Sequence, residues 1–157
     1  GGGFLKDFWE YDPSINTWIQ KADFGGVKRA SAVGFVIGNY GYIGTGSSYG
    51  YDFTMRDFWK YDPSTDIWNS IASLASEDYS TLEAVGFSIG NFGYVGGGYD
   101  DSYSVKYAFW KYNPLTNSWV MIPNCEGGST GSAVGFTIGN YGYVLRGFHS
   151  DFWKYTP

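Results

Sequence analysis

Apolar and polar positions along the chain fall into short segments of four to seven residues bounded by Gly, Asn, Asp, Pro and Ser, the signature of strands separated by turns. Three of these segments recur in fixed order with a period near fifty residues. The first, Ala-Val-Gly-Phe-x-Ile-Gly-Asn, starts at Ala32, Ala84 and Ala133. The second follows at once as Tyr40-Gly41-Tyr42, Phe92-Gly93-Tyr94 and Tyr141-Gly142-Tyr143. The third, Phe-Trp-x-Tyr, occurs four times, from Phe8, Phe58, Phe109 and Phe152. Three of its copies run into Asp-Pro or Asn-Pro and a second Trp, giving the pairs Trp9 and Trp18, Trp59 and Trp68, Trp110 and Trp119, each nine residues apart.

The segments between strands carry turn chemistry. Gly-Asn-Tyr/Phe-Gly between the first two strands predicts a tight hairpin, with Asn opening a type I turn and the following Gly taking positive φ. Asp12-Pro13-Ser14, Asp62-Pro63-Ser64 and Asn113-Pro114-Leu115 place Pro where a fixed φ starts the turn into a fourth strand at Trp18, Trp68 or Trp119. One repeat thus reads as a four-stranded antiparallel meander. The two-residue period sends Phe58, Lys60 and Asp62 to one face and Trp59 and Tyr61 to the other. A lone sheet with aromatics on both faces needs covering on both. Stacking such sheets around an axis, as in a β-propeller, supplies that cover, with the Ala and Gly of the first strand nearest the axis and the Trp and Tyr in the wider outer spaces.

Composition agrees with an all-β chain. Of 157 residues 22% are aromatic and 24 are Gly, while only 16% are charged, a mixture too aromatic for disorder and ill suited to helices. The net charge of −5 offers no basic field for nucleic acid or an anionic membrane. No apolar run approaches the 18 residues of a membrane span. The start, Gly1-Gly2-Gly3-Phe4-Leu5-Lys6, carries neither an initiator Met nor a signal-peptide pattern, which reads as a processed chain or a piece of a longer one. A single Cys125 rules out an internal disulfide and a cysteine-based metal cluster.

The Gly-rich end of the second strand, the aromatic third strand with Phe-Trp-x-Tyr-Asp-Pro and the Trp opening the fourth resemble the kelch repeat. The likeness is greatest to galactose-oxidase-type kelch propellers of bacterial surface and secreted proteins. It implies four-stranded blades, a role mostly as a binding platform, and an extracellular or cell-surface location. Arg29 stands where kelch repeats often carry Arg, but the stretches before Ala84 and Ala133 lack it.

On this reading residues 1–24 are a partial blade with strands three and four, 31–74 and 83–123 are whole blades, and 132–157 hold strands one to three. Thirteen strands make about three blades, whereas propellers close with four to eight. The expectation is a segment of a six- or seven-bladed ring, completed by remaining blades of the same longer chain or by a second copy. Alone, it would expose aromatic sheet faces and open edges.

Loops joining strands two to three and four to one belong to one face of the meander, and the former vary most in length. They carry the candidate binding residues Tyr49, Tyr51, Asp52, Phe53, Tyr99, Asp100, Asp101, Tyr103, Phe148 and His149. Tyr-rich loops with carboxylates on a rigid scaffold suit sugar stacking or the anchoring of a protein partner; the alternative is that they only cover blade edges. Asp52, Asp100 and Asp101 are oxygen donors for a hard cation but lack a calcium-loop spacing, so neither metal nor cofactor is expected. One His and one Cys are too few for the copper site of galactose oxidase, and sialidase boxes are absent. Ser150 between His149 and Asp151 suggests a triad only superficially, because neighbours on one strand edge rarely converge. Carboxylate pairs among Glu77, Asp78, Asp100 and Asp101 would need a glycosidase separation that only geometry gives. The sequence therefore favours a non-catalytic protein- or glycan-binding module. The alternative is scaffold for a propeller hydrolase or oxidase whose catalytic groups lie elsewhere.

Overall fold

The computed structural model describes residues 4–48, 53–75, 79–125, 131–145 and 152–157. The chain is all-β. In order the strands are β1 (Phe8–Asp12), β2 (Thr17–Lys21), β3 (Val33–Ile37), β4 (Tyr40–Gly44), β5 (Ser47–Ser48), β6 (Phe53–Thr54), β7 (Phe58–Asp62), β8 (Ile67–Ile71), β9 (Val85–Ile89), β10 (Phe92–Gly96), β11 (Phe109–Asn113), β12 (Ser118–Ile122), β13 (Val134–Ile138), β14 (Tyr141–Leu145) and β15 (Phe152–Tyr155). They form antiparallel sheets β1-β2, β3-β4-β7-β8, β9-β10-β11-β12 and β13-β14-β15, with the two-residue ribbon β5-β6 inserted in the loop after β4. Among the described residues no helix is long and apolar enough to cross a membrane.

The turn between first and second strands differs from the sequence expectation. Ile37 pairs with Tyr40 and Ile89 with Phe92, so Gly38-Asn39 and Gly90-Asn91 are two-residue turns. The positive φ belongs to Gly38, Gly90 and Gly139, ahead of the Asn, as a hairpin turn with Gly in its first central position requires. The later Gly of each pair, Gly41, Gly93 or Gly142, lies inside a strand, where its missing side chain serves packing. A Cβ on Gly93 would fall within the ring of Phe35, and one on Gly142 within the ring of Phe87.

The third-to-fourth turns follow the Pro pattern and add a cap. Asp12 and Asp62 accept the amide and hydroxyl of Ser14 and Ser64, and each turn ends on a residue in the left-handed region, Asn16, Asp66 or Asn117. Asn and Asp tolerate that conformation better than other residues with a Cβ.

Successive sheets pack face to face in chain order. One face of β3-β4-β7-β8, with Val33, Phe35, Ile37, Tyr42 and Phe58, meets Val95, Trp110 and Tyr112 of the next sheet. The opposite face of that next sheet, with Val85, Phe87, Ile89, Tyr94 and Phe109, meets Val144 and Tyr155 of the last. At the other end Phe8 of β1 lies edge-on to Tyr61 and Trp68, at 4.9 and 5.1 Å. Aromatics on both faces of the internal third strands, β7 and β11, are thus used, and Trp110 is only 6% exposed. Each such ring contributes about 1.5–3 kcal/mol by leaving water.

A repeated latch joins the sheets at their outer strands. The indole of Trp68 donates to the carbonyl of Ala22 (3.2 Å), whose amide donates to Asp66 (3.0 Å), which also accepts the hydroxyl of Tyr61 (2.7 Å). One repeat later Trp119 donates to Ala72 (2.8 Å), the Ala72 amide donates to Asn117 (2.9 Å), and Tyr112 donates to Asn117 (2.9 Å). The first copy, Tyr11 to Asn16 at 2.7 Å, sits on an open face where Trp18 is 65% exposed. The last sheet is open on its other face, where Val134, Phe136, Ile138 and Phe152 are exposed.

Candidate functional site

The strand registers decide where the loops go. Val33 and Phe58 both pair with Gly44, and Ile71 pairs with Phe58, so the start of the first and third strands and the end of the second and fourth share one end of the sheet. The loops there are bonded to one another, both within a sheet and across sheets. Gly46 donates to Thr81 (2.8 Å), Thr81 to Met55 (3.1 Å), Leu82 to Tyr99 (2.9 Å) and Glu83 to Ser31 (3.2 Å). Side chains add Thr54 to Ser80 at 2.8 Å. This end is a backbone-tied platform, which fixes whatever the loops carry.

Of the expected binding residues, Tyr49, Tyr51, Asp52, Phe148 and His149 lie outside the described residues, as do Glu77, Asp78, Ser150 and Asp151. Phe53 is exposed on β6, opposite Ser48. Tyr103 is exposed and takes positive φ at the tip of its loop, with Tyr107 exposed beside it. Tyr99 is half-buried; its ring stands 6.3 Å from that of Tyr103 and presses on the backbone of Gly131.

The two neighbouring carboxylates differ. Asp101 is exposed, but Asp100 caps its own loop, accepting the amides of Ser102 (3.0 Å) and Ser104 (2.8 Å) and pairing with Lys106 (3.1 Å). Desolvation pushes the Asp100 carboxyl up, yet the Ser104 amide and the Lys106 ammonium outweigh it and hold it below the usual carboxylate range. Asp100 therefore shapes the loop on which Tyr103 stands. Among the described residues no group of three or more His, Cys, Asp or Glu side chains is placed to hold a metal ion.

The sequence reading missed a row of residues at this end. Ser31, Glu83 and Ser132, each just ahead of the Ala that precedes a first strand, all take left-handed φ of 51–54°. The Glu83 amide donates to Ser31, and the Ser132 hydroxyl donates to the Glu83 carboxylate. Such backbone is uncommon for residues with a Cβ. No Gly marks these positions, so the only sequence signal was their constant place in the repeat.

Arg29 also belongs to this end. Its guanidinium, with the side chain 4% exposed, forms a bidentate pair with Asp57 (2.8 and 2.7 Å) and donates to the Thr45 carbonyl (2.9 Å). Burial acts to raise the Asp57 carboxyl, but hydrogen bonds and charge from Arg29 prevail and lower it. The arrangement is structural: a saturated ion pair bracing the start of β7.

No family model matches this chain, and no curated protein matches it either. Among solved structures it is similar to one described as the structure of YjhT, with a TM-score of 0.75 and 17% sequence identity. The match covers 97% of this chain, which spans 59% of the length of that structure. The likeness is one of fold.

Proposed function

We propose that this chain is a segment of a kelch-type β-propeller that presents its tied loop end as a non-catalytic recognition surface for a glycan or a protein. The observation that carries the reading is the tied loop end itself: Gly46, Thr81 and Met55 bond across sheets, the 99–107 loop is closed by its own backbone bonds, and Phe53, Tyr103 and Tyr107 stand exposed there. Exposed aromatic rings offer broad contact area with little entropy to lose and, in Tyr, a polar handle. Asp101 adds a carboxylate that the loop does not bury. The propeller reading is supported by face-to-face stacking of repeated meanders whose first strands, β3, β9 and β13, pack beside one another. The remaining blades are proposed to belong to the same longer polypeptide, at the cell surface or outside the cell.

Two measurements test this. The mass of the native polypeptide, with a blade count by electron microscopy, decides whether one chain closes a ring. A glycan array and a pull-down with the full ring, repeated with Phe53→Ala and Tyr103→Ala, test the surface. Binding that survives both substitutions, or turnover of a glycan by the intact ring, overturns the recognition reading.

A further inference from the structure

At the tight-turn end, opposite the loops, a groove of about 400 Å³ opens between the sheets β3-β4-β7-β8 and β9-β10-β11-β12. Tyr40, Tyr42, Phe92 and Leu115 give it apolar walls, and Lys60 and Asn113 bring polar groups to it. Among the described residues that line it there is no Asp or Glu. The Lys60 ammonium lies 3.5 Å from the centre of the Tyr40 ring and, among the described residues, makes no ion pair. Asp62, two residues along β7, accepts the amide and hydroxyl of Ser64. Asn113 accepts the Leu115 amide with Oδ1 (3.0 Å), so its amino group remains a donor. Leu115 itself is 93% exposed, an apolar side chain held in water at the rim. One sheet earlier the same repeat positions carry Glu10 for Lys60, and Asp62 and Ser64 for Asn113 and Leu115. A base thus stands for an acid, a neutral amide for a second acid, and an isobutyl group for a hydroxyl. All three differences favour an anion with an apolar body, and the turn forgoes its hydroxyl cap to make them.

We propose that this groove binds a small aromatic carboxylate, its ring among Tyr40, Phe92 and Leu115 and its carboxylate on the Lys60 ammonium, with the Asn113 amino group as a second donor. The volume lies in the ordinary range of small-molecule sites, which are mostly apolar with a few placed polar groups. A charge-assisted bond to the ammonium gains strength because the apolar walls keep water from one side of it. The Tyr40 ring already holds the Lys60 head, so little of its flexible stem has to be ordered when the ligand arrives. The rings on the walls meet an aromatic body face or edge on, which an aliphatic acid of the same charge forgoes.

The site stands apart from the recognition surface at the loop end, and neither depends on the other. Naphthylacetate is titrated into the 157-residue chain and followed by calorimetry, with naphthylethanol as the neutral control and acetate as the control without a ring. Naphthylacetate is expected to bind, and each control to bind about tenfold more weakly or worse. Lys60→Met is expected to weaken naphthylacetate about tenfold and to leave naphthylethanol within about twofold. Asn113→Asp with Leu115→Ser copies the turn of the preceding repeat, so it has a folded precedent in the same chain. It is expected to weaken naphthylacetate by about tenfold as well, through the added carboxylate and the lost wall. Lys154→Met, at the equivalent place in the last sheet, is expected to change binding by less than about twofold. The proposal is overturned by no binding to a chain that circular dichroism shows folded, by equal binding of acid and alcohol, or by a loss with Lys154→Met and not with Lys60→Met. Should Lys60→Met fail to fold, the double variant decides, and undiminished naphthylacetate binding to it overturns the proposal. Failure of the loop end to bind a glycan or protein leaves each of these outcomes unchanged.

Discussion

Arg29 and Asp57 are bonded through both guanidinium arms, and the next repeat replaces the two residues together. Thr81 occupies the position of Arg29 and Ala108 that of Asp57. The Thr81 hydroxyl donates to the Gly97 carbonyl at 2.9 Å, just as Arg29 donates to Thr45. The protein thus contains its own double substitution. Asp57→Ala alone leaves a buried cation short of its counter-charge and is expected to cost about 1–3 kcal/mol, less than a fully buried pair because Asp57 keeps contact with water. Arg29→Thr with Asp57→Ala is expected to recover most of that loss. Urea denaturation of the two variants measures it, and additive losses would contradict the exchange.

Gly41, Gly93 and Gly142 hold the same place in three repeats but face different surroundings. Gly93 lies beneath Phe35, so Gly93→Ala is expected to destabilise by about 1–3 kcal/mol through overpacking. At Gly41 a new Cβ would meet only Tyr61, at an ordinary 3.7 Å, because among the described residues the preceding sheet, β1-β2, sends no ring across. Gly41→Ala is expected to leave the melting temperature of the 157-residue chain nearly unchanged. A thermal melt of both variants checks the contrast.

Acid stability should depend on Asp66. The hydroxyl of Tyr61 and the amide of Ala22 hold its carboxyl below the usual range. A carboxyl lowered by folding gives stability that is complete above its unfolded value, about 4, and is lost as pH falls through the folded value. Asp57 acts in the same direction. Asp66→Asn copies the next repeat, where Asn117 makes the same bonds. It is expected to be nearly neutral at pH 7 and to flatten the stability profile below pH 4, as read from urea midpoints across pH.

Alkali acts through buried phenols. Burial, aided by Tyr155 near Tyr94 and by Tyr42 near Tyr112, pushes Tyr94 and Tyr112 up to about 12. A phenol raised by folding gives stability that is complete below its unfolded value near 10 and is lost as pH rises to the folded one. Ultraviolet titration is expected to show Tyr94 and Tyr112 ionising only as the chain unfolds. Simultaneous ionisation of all tyrosines in a folded chain would contradict this.

Tyr103→Ala and Phe53→Ala should change stability by less than about 0.5 kcal/mol, because both side chains are exposed. Asp100→Asn, by contrast, removes the charge that meets Lys106 and is expected to loosen the 99–107 loop. Hydrogen exchange at Ser102 and Ser104 reads that directly.

Much of the fold was legible because its signals are local. A two-residue alternation put Phe58 and Tyr61 on opposite faces, and each is buried against a different neighbouring sheet. The third-to-fourth turn followed from Pro. What escaped depends on contacts between repeats. Gly41, Gly93 and Gly142 read as turn residues, whereas the rings crossing from the preceding sheet are visible only in three dimensions. The latch through Ala22 and Ala72 could not be seen either, since Ala offers it only backbone atoms. At the loop end the aromatic residues could be named, but Asp100 looked available until the amides and ammonium around it were placed. Ser31, Glu83 and Ser132 carry no residue type that announces a left-handed backbone.

The order of the stack has a directional consequence. Every internal junction joins the Phe58-type face of one sheet to the Trp110-type face of the next, never like to like. The molecule accordingly has two unlike poles, with Trp9, Tyr11 and Trp18 at one and Phe136 and Phe152 at the other. Further units that reuse this junction add only in a head-to-tail sense, so growth curls into a closed circle or runs on as a filament, and a two-fold dimer needs a different surface.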